Sequence, residues 1–496
     1  MANPSKLRIL LMASEVEPFA KTGGLADVAG ALPRALLDLG HDVRILMPRY
    51  RGATRAAQNV RAVVPSLRVP IAERMVEGSL EAGVAPSGVP VYFLAQDHYY
   101  DREHLYATDE GDYPDNCERF IFFCRGGLEG LAALAAGRDG WRPQLIHAND
   151  WQTGLVPVYL RTLYHDHPAL GDVRTLFTIH NLAYQGAFWH YDMPMTGLGW
   201  DLFTPAGLEF YGKINFLKGG LVFSDILTTV SRTYAHETRT AEFGNGLEGV
   251  LEERSQDLHG VVNGIDHDTW NPATDPALPK PYSIGEPGGK AVCGGALRQE
   301  LGLEAAPGPL LGMVTRLAPQ KGLELVLQAF PALLAEGCQL VLLGAGSPHL
   351  EEGFTELGRA HPGQVAARLG YDDVLARRIY AGADAFLMPS RYEPCGLGQL
   401  IAQRYGTIPV VRRTGGLADT VTEFDPARRT GTGFTFEAFT AEALVDAVRR
   451  AATTYRRPAA WAALVKNAMA EDFSWGASAR EYLTLYRKAL RAGSAR

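Results

Sequence analysis

The sequence is poor in cysteine, and the little it has follows no pattern. Cys117, Cys124, Cys293, Cys338 and Cys395 form an odd, scattered set with no C-x-x-C pair, so neither a disulfide framework nor a dithiol motif is legible. Such usage fits a reducing cytoplasm. No run of about 18 apolar residues occurs, so no membrane-spanning helix is expected. Residues 7–13 are followed too soon by Glu15 to form a signal-peptide core. Basic excess is missing as well: 48 Lys and Arg stand against 55 Asp and Glu, a formal charge of −7. A nucleic-acid partner is therefore not expected, although a local basic site stays open.

What is present reads as α/β. A chain of 496 residues exceeds what one hydrophobic core usually serves, so two domains are expected. The 46% apolar and 21% charged content is ordinary for a globular protein. Short apolar runs that read as buried parallel strands alternate with helical periods. In the first half the strands fall at residues 7–12, 41–47, 145–147, 175–179 and 226–230, with helices at 25–39, 116–136, 151–164 and 207–220. In the second half strands fall at 310–314, 339–343, 364–369, 385–388 and 408–411, with helices at 323–334, 441–470 and 477–490. Residues 271–295, rich in Pro and Gly, read as a surface linker. The expected division is an N-terminal domain over 1–262 and a C-terminal one over 263–474, both doubly wound and Rossmann-like, with a terminal helix over 475–496 packing back on the first.

Open parallel sheets bind ligands at the carboxyl ends of their strands, and the polar residues of interest collect there. Lys21-Thr22-Gly23-Gly24-Leu25-Ala26-Asp27 puts a cation and two glycines at a helix start; Asp150 and His180 each follow a strand. Asp150 reads equally as a helix cap, and His180 as a structural histidine. In the second half Arg316 and Lys321 share one strand-end loop. They suit a diphosphate, Arg as a fork and Lys as a point charge, or are two solvated bases.

Glu393-Pro394-Cys395-Gly396-Leu397-Gly398 joins a strand to a helix. Gly396 and Gly398 leave the backbone uncrowded where N–H groups and the helix dipole can face an anion. Glu393 beside that anion needs another partner, such as sugar hydroxyls. Tyr371 ends a strand, where it can stack on a purine or pack. The hexapeptide Thr-Gly-Gly-Leu-Ala-Asp occurs twice, at residues 22–27 and 414–419, which reads as similar turns in two similarly built halves. Two such domains imply a cleft for a phosphorylated ligand. A nucleoside diphosphate leaving group needs its developing charge stabilised, which points to glycosyl transfer. Asp266-His267-Asp268 matches a metal-binding D-x-D pattern but lies in the linker, apart from the cation loop.

Nearly the whole chain resembles the family of bacterial glycogen synthase and plant starch synthase. The resemblance rests on Lys21-Thr22-Gly23-Gly24-Leu25-Ala26-Asp27, His180-Asn181-Leu182, Tyr211-Gly212-Lys213-Ile214-Asn215-Phe216-Leu217-Lys218, Asn263-Gly264-Ile265-Asp266, Arg316, Lys321 and Glu393-Pro394-Cys395-Gly396-Leu397. It implies a GT-B fold facing a cleft, and transfer of glucose from ADP-glucose to the non-reducing end of an α-1,4-glucan, with retention and with neither metal nor cofactor. By the same implication Lys21, Gly24, Arg316 and Lys321 hold the diphosphate with the Cys395 to Gly398 turn. Tyr371 meets the adenine, Glu393 the glucose hydroxyls, and His180 the glucose and its oxocarbenium-like transition state, with Asp150 and Asn263 nearby. One departure is Asn149, where the family commonly has His before the Asp-Trp pair. A transferase using UDP-glucose or another acceptor is the rival within the class. A nicotinamide-dependent oxidoreductase needs a third fingerprint glycine, whose place His349 holds. A catalytically silent glucan-binding protein leaves the Lys21, Arg316, Lys321 and Glu393 set unexplained.

Overall fold

A computed structural model describes residues 6–137 and 140–492. The chain forms two compact units. One holds Met1–Val230, Ala235–Val261 and Trp475–Arg496; the other holds Ser231–Tyr234 and Val262–Ser474.

The first unit is built on a nine-stranded sheet. Its strands are β1 (Arg8–Met12), β2 (Asp42–Pro48), β3 (Gln58–Ile71), β4 (Arg74–Val84), β5 (Pro90–Ala95), β6 (Leu145–Asn149), β7 (Arg174–Ile179), β8 (Ile226–Thr229) and β9 (Leu258–Gly260), in the order β9-β8-β7-β6-β1-β2-β5-β4-β3. β1 is buried and apolar from Ile9 to Met12, as a strand covered on both faces must be, whereas β6 is buried throughout but carries the polar His147 and Asn149. The strand order reverses between β1 and β6, and the parallel register Met12↔Ala148↔Phe177 brings the ends of β1, β6 and β7 to one rim. The stretch 60–94, which reads in sequence only as a less legible β-rich segment, forms with its flanking residues an antiparallel meander with register shifts along β3 and β4.

The helix Trp475–Ala492 joins this unit's core through Trp475, Tyr482, Leu483 and Tyr486. Tyr486 Oη lies 2.8 Å from His147 Nδ1, and His147 Nε2 lies 2.6 Å from Thr178 Oγ1. Burial holds the His147 imidazole neutral, down to about 3. Residues 493–496 of the expected terminal helix lie outside the described residues.

The second unit carries β10 (Leu310–Val314), β11 (Gln339–Gly344), β12 (Val365–Leu369), β13 (Ala385–Met388), β14 (Ile408–Arg412) and β15 (Phe434–Phe436), all parallel, in the order β12-β11-β10-β13-β14-β15. This is the 3-2-1-4-5-6 order of a dinucleotide-binding sheet, whose switch point lies between β10 and β13.

Three sequence expectations are corrected. Residues 207–220 are not one helix: Glu209–Phe210 and Lys213–Asn215 pair antiparallel around Tyr211 (φ 49°) and Gly212 (φ 76°), and the helix Phe216–Phe223 begins only where Asn215 Oδ1 accepts Lys218 N–H at 2.9 Å. Residues 151–164 form a 3-10 turn, Trp151–Thr153, followed by a helix ending at Arg161. Residues 271–295 are not a loose linker. Leu278, Tyr282 and Cys293 are buried with Tyr380 and Tyr405, and the helix Gly288–Leu301 starts within the segment. Lys290 anchors that helix, its Nζ lying 2.7 Å from Thr407 Oγ1 and 3.1 Å from each of Ala381 O, Ala383 O and Tyr405 O, among which it shares its three protons. Among the described residues no helix is long and apolar enough to cross a membrane.

Candidate active site

In the first unit the polar groups gather at the switch point between β1 and β6. Asp150 follows β6 with φ 57° and ψ −179°, a region that costs a non-glycine residue about 1–3 kcal/mol and persists only where the surroundings impose it. Its carboxylate caps no helix. Oδ1 accepts the His180 backbone N–H at 2.7 Å, and Asn181 N–H also faces the group. Asp150 is thus a brace across two strand ends. Burial, with Glu15 adding repulsion, raises its carboxyl to about 7.

The neighbouring Asn149 is wholly buried, and its Oδ1 lies 3.0 Å from His180 Nε2. Two successive residues therefore hold His180, one by its main chain and one by its ring. Burial depresses the His180 imidazole to about 3, so it is neutral at working pH.

At the turn that carries Lys21 the first backbone donors are already taken. The amides of Thr22 and Gly23 are not bare, because the buried Glu15 carboxylate accepts both, together with Thr22 Oγ1 at 2.7 Å and Tyr106 Oη at 2.8 Å. Gly24 opens the helix Gly24–Asp38 with nothing within 4 Å of where a Cβ would stand. Lys21 Nζ reaches Asp27 Oδ1 at 2.6 Å. Glu15 carries no sequence signal for this role beyond its place just past the end of an apolar strand.

In the second unit a cavity of about 230 Å³ opens at the switch point between β10 and β13. Arg316, Lys321, Ser390, Glu393, Gly396 and Gly398 line it over an apolar floor that includes Phe386 and Met388. Lys321 and Glu393 meet directly, Nζ to Oε2 at 2.6 Å, with side chains only 18% and 7% exposed. Ser390 Oγ donates to the same oxygen at 3.1 Å. Lysine has three donors, so Lys321 keeps capacity for an anion while bound to Glu393. Arg316 is exposed at the rim.

Gly396 has φ 74°, a conformation that favours glycine, and it turns the chain so that the backbone of Gly396, Leu397 and Gly398 borders the cavity ahead of the helix Gly398–Arg404. The Cys395 thiol is buried and pushed up to about 12, so it is no nucleophile. Asn263 is buried and its Oδ1 has no hydrogen-bond partner among the described residues.

Tyr371 lies apart from this group. It follows β12, at the far edge of the sheet, and is 92% exposed. The D-x-D reading also separates from the site: Asp266 is occupied by its own turn, accepting Asp268 N–H at 2.8 Å and Thr269 Oγ1–H at 2.9 Å.

Comparison with known proteins accords with this arrangement. Residues 8–253 match the starch synthase catalytic domain and residues 300–467 match glycosyl transferases group 1. The glycogen synthase of Syntrophotalea carbinolica is 52% identical over 98% of this chain and 99% of its own. That of Anaeromyxobacter dehalogenans is 50% identical over 97% and 99%. Among solved structures, the catalytic domain of starch synthase IV from Arabidopsis thaliana, bound to ADP and acarbose, superposes with a TM-score of 0.87 at 36% identity, covering 98% of this chain and 100% of that one. A sucrose-phosphate synthase from Thermosynechococcus elongatus shares the fold alone, with a TM-score of 0.57 at 20% identity over 98% of this chain and 100% of that one. The chain belongs to the glycogen synthase and starch synthase family of glycosyltransferases, built on the GT-B fold.

Proposed function

We propose that the chain transfers glucose from ADP-glucose to the non-reducing end of an α-1,4-glucan with retention of configuration, releasing ADP. The observation that carries this reading is the Lys321–Glu393 pair in the cavity that Arg316 and the Gly396 turn also border. Arg316 and Lys321 take the diphosphate oxygens, assisted by the amides of the turn. Glu393, neutralised by Lys321, accepts the donor's sugar hydroxyls. Asn263 meets the donor with its orphaned oxygen, and the exposed Tyr371 ring stacks on adenine. His180 bonds the transferred glucose, and Asp150 keeps its loop in place.

The leaving ADP gains charge as the glycosidic bond breaks, and fixed cations at that point lower the barrier because they need no reorganisation. Glu393 is tied to Lys321 and Ser390, and the Cys395 thiol is held protonated, so the reading favours a front-face, ion-pair-like route over double displacement. No metal or cofactor takes part, and EDTA should leave the rate unchanged. Restoration of a chelated enzyme by magnesium or manganese would contradict this. The five cysteines, all reduced and buried, fit a place in the cytoplasm. Competing ADP-glucose against UDP-glucose tests the donor: the reading expects a kcat/KM preference for ADP-glucose, and a preference for UDP-glucose would overturn it.

A further inference from the structure

The side chain of Asn149 can be oriented without ambiguity from its surroundings. Its Nδ2 donates to Met12 O at 3.0 Å and to His147 O at 3.2 Å. Turning the amide over would set Oδ1 against two carbonyl oxygens in a site closed to water, which leaves acceptors facing acceptors. Oδ1 is therefore the atom that faces His180 Nε2 at 3.0 Å. An amide oxygen can only accept, so the proton of that bond belongs to Nε2. A neutral imidazole carries one proton, and burial keeps this ring neutral, which leaves Nδ1 with its lone pair.

We propose that Asn149 is a positioning residue that locks His180 as the Nε2–H tautomer, so that the ring meets the transferred sugar at Nδ1 as a hydrogen-bond acceptor and selects for a hydroxyl group there. This rests on the reading that His180 faces the donor glucose. A sugar lacking that hydroxyl leaves the acceptor unpaired in a buried site, and is discriminated against for that reason. The same lock rules His180 out as a general acid. Asp150 completes the device from the main-chain side, because its grip on His180 N–H at 2.7 Å fixes the backbone from which the ring projects.

Leucine and histidine at position 149 separate the hydrogen bond from the packing. Leucine keeps the branched outline and has no polar atoms. Histidine can donate from one ring nitrogen to a carbonyl and accept from His180 with the other. In protein labelled with 15N-histidine, with the His180 signals assigned by their loss in His180→Gln, wild type should show a protonated Nε2 and an unprotonated Nδ1. Asn149→Leu should show a mixture of tautomers and a kcat lower by on the order of tenfold, the scale of one buried hydrogen bond to a reacting group. Asn149→His should recover the wild-type pattern and most of the lost rate.

A protonated Nδ1 in wild type would overturn the proposal, and that measurement stands even if a variant fails to fold. An unchanged tautomer pattern in Asn149→Leu would overturn it too. A scrambled pattern with unchanged kcat would show that Asn149 holds the ring but that His180 does not meet the sugar, overturning the acceptor role by removing the reading beneath it.

Discussion

The chain uses the hexapeptide Thr-Gly-Gly-Leu-Ala-Asp twice, and the two copies do opposite things. At residues 22–27 the turn is open: a Cβ on Gly23 or Gly24 would meet nothing within 4 Å, and a carboxylate from below, Glu15, satisfies the amides of Thr22 and Gly23. At residues 414–419 the turn is closed. A Cβ on Gly415 would lie 1.9 Å from Glu393 O and one on Gly416 2.0 Å from Cys395 O, while Gly416 N–H donates to Glu393 O at 3.0 Å. The terminal Asp differs likewise: Asp27 pairs with Lys21, whereas Asp419 accepts Thr233 Oγ1–H at 2.6 Å and the Arg232 and Thr233 amides. In the first copy glycine leaves room for a ligand. In the second it lets one stretch of backbone lie on another and holds Glu393 to Cys395 in place.

The largest effect should therefore come from Gly416→Ala. The added methyl meets backbone, not a movable side chain, so the donor turn must shift; we expect a loss of about 3 kcal/mol in the second unit and activity below detection. Thermal melts and initial rates read both. Next, Lys321→Ala removes the partner of Glu393 and a cation from the cavity, and should lower kcat/KM by on the order of a hundredfold or more.

A third expectation concerns pH. The Asp150 carboxyl sits at about 7 in the folded chain against 3.8 for the ordinary group. Between those values the folded state binds the extra proton, so this residue's contribution to stability is complete below the lower value and is lost as pH rises through the upper one. Asp150→Asn, which stays neutral, should gain stability relative to wild type as pH rises between about 4 and 7, although its activity falls. Melting curves across that range that run parallel for the two proteins would contradict the assignment. The smallest effect should be Gly24→Ala. The position is helical and unobstructed, so Tm should hold or rise slightly, while the KM for ADP-glucose should rise if donor phosphate approaches that backbone. A fall in Tm like that of Gly416→Ala would erase the contrast between the two turns.

Much of this fold was legible because buried parallel strands announce themselves as short apolar runs, and the long helix Asn116–Ala136 shows its period over many turns. Residues 207–220 escaped because strands of two and three residues are too short to display alternation, and the turn between them depends on the left-handed Tyr211 and Gly212. The site was legible as a set of residue types at strand ends. Partnerships were not, because they join side chains far apart in sequence: Asn149 with His180 across 31 residues, and Lys321 with Glu393 across 72. Glu15 and Asn149 carry no motif of their own. Their importance lies in which amide or ring the fold brings to them.

The central claim, glucosyl transfer from ADP-glucose to the non-reducing end of an α-1,4-glucan, is tested most directly by following the label. Purified protein is incubated with ADP-glucose labelled in the glucosyl group and a maltooligosaccharide, and the product is digested with β-amylase, which cuts α-1,4 chains from the non-reducing end. The account predicts that the label enters the oligosaccharide and is released entirely as maltose. Label found as free glucose before digestion, or retained in a β-amylase-resistant product, would contradict it.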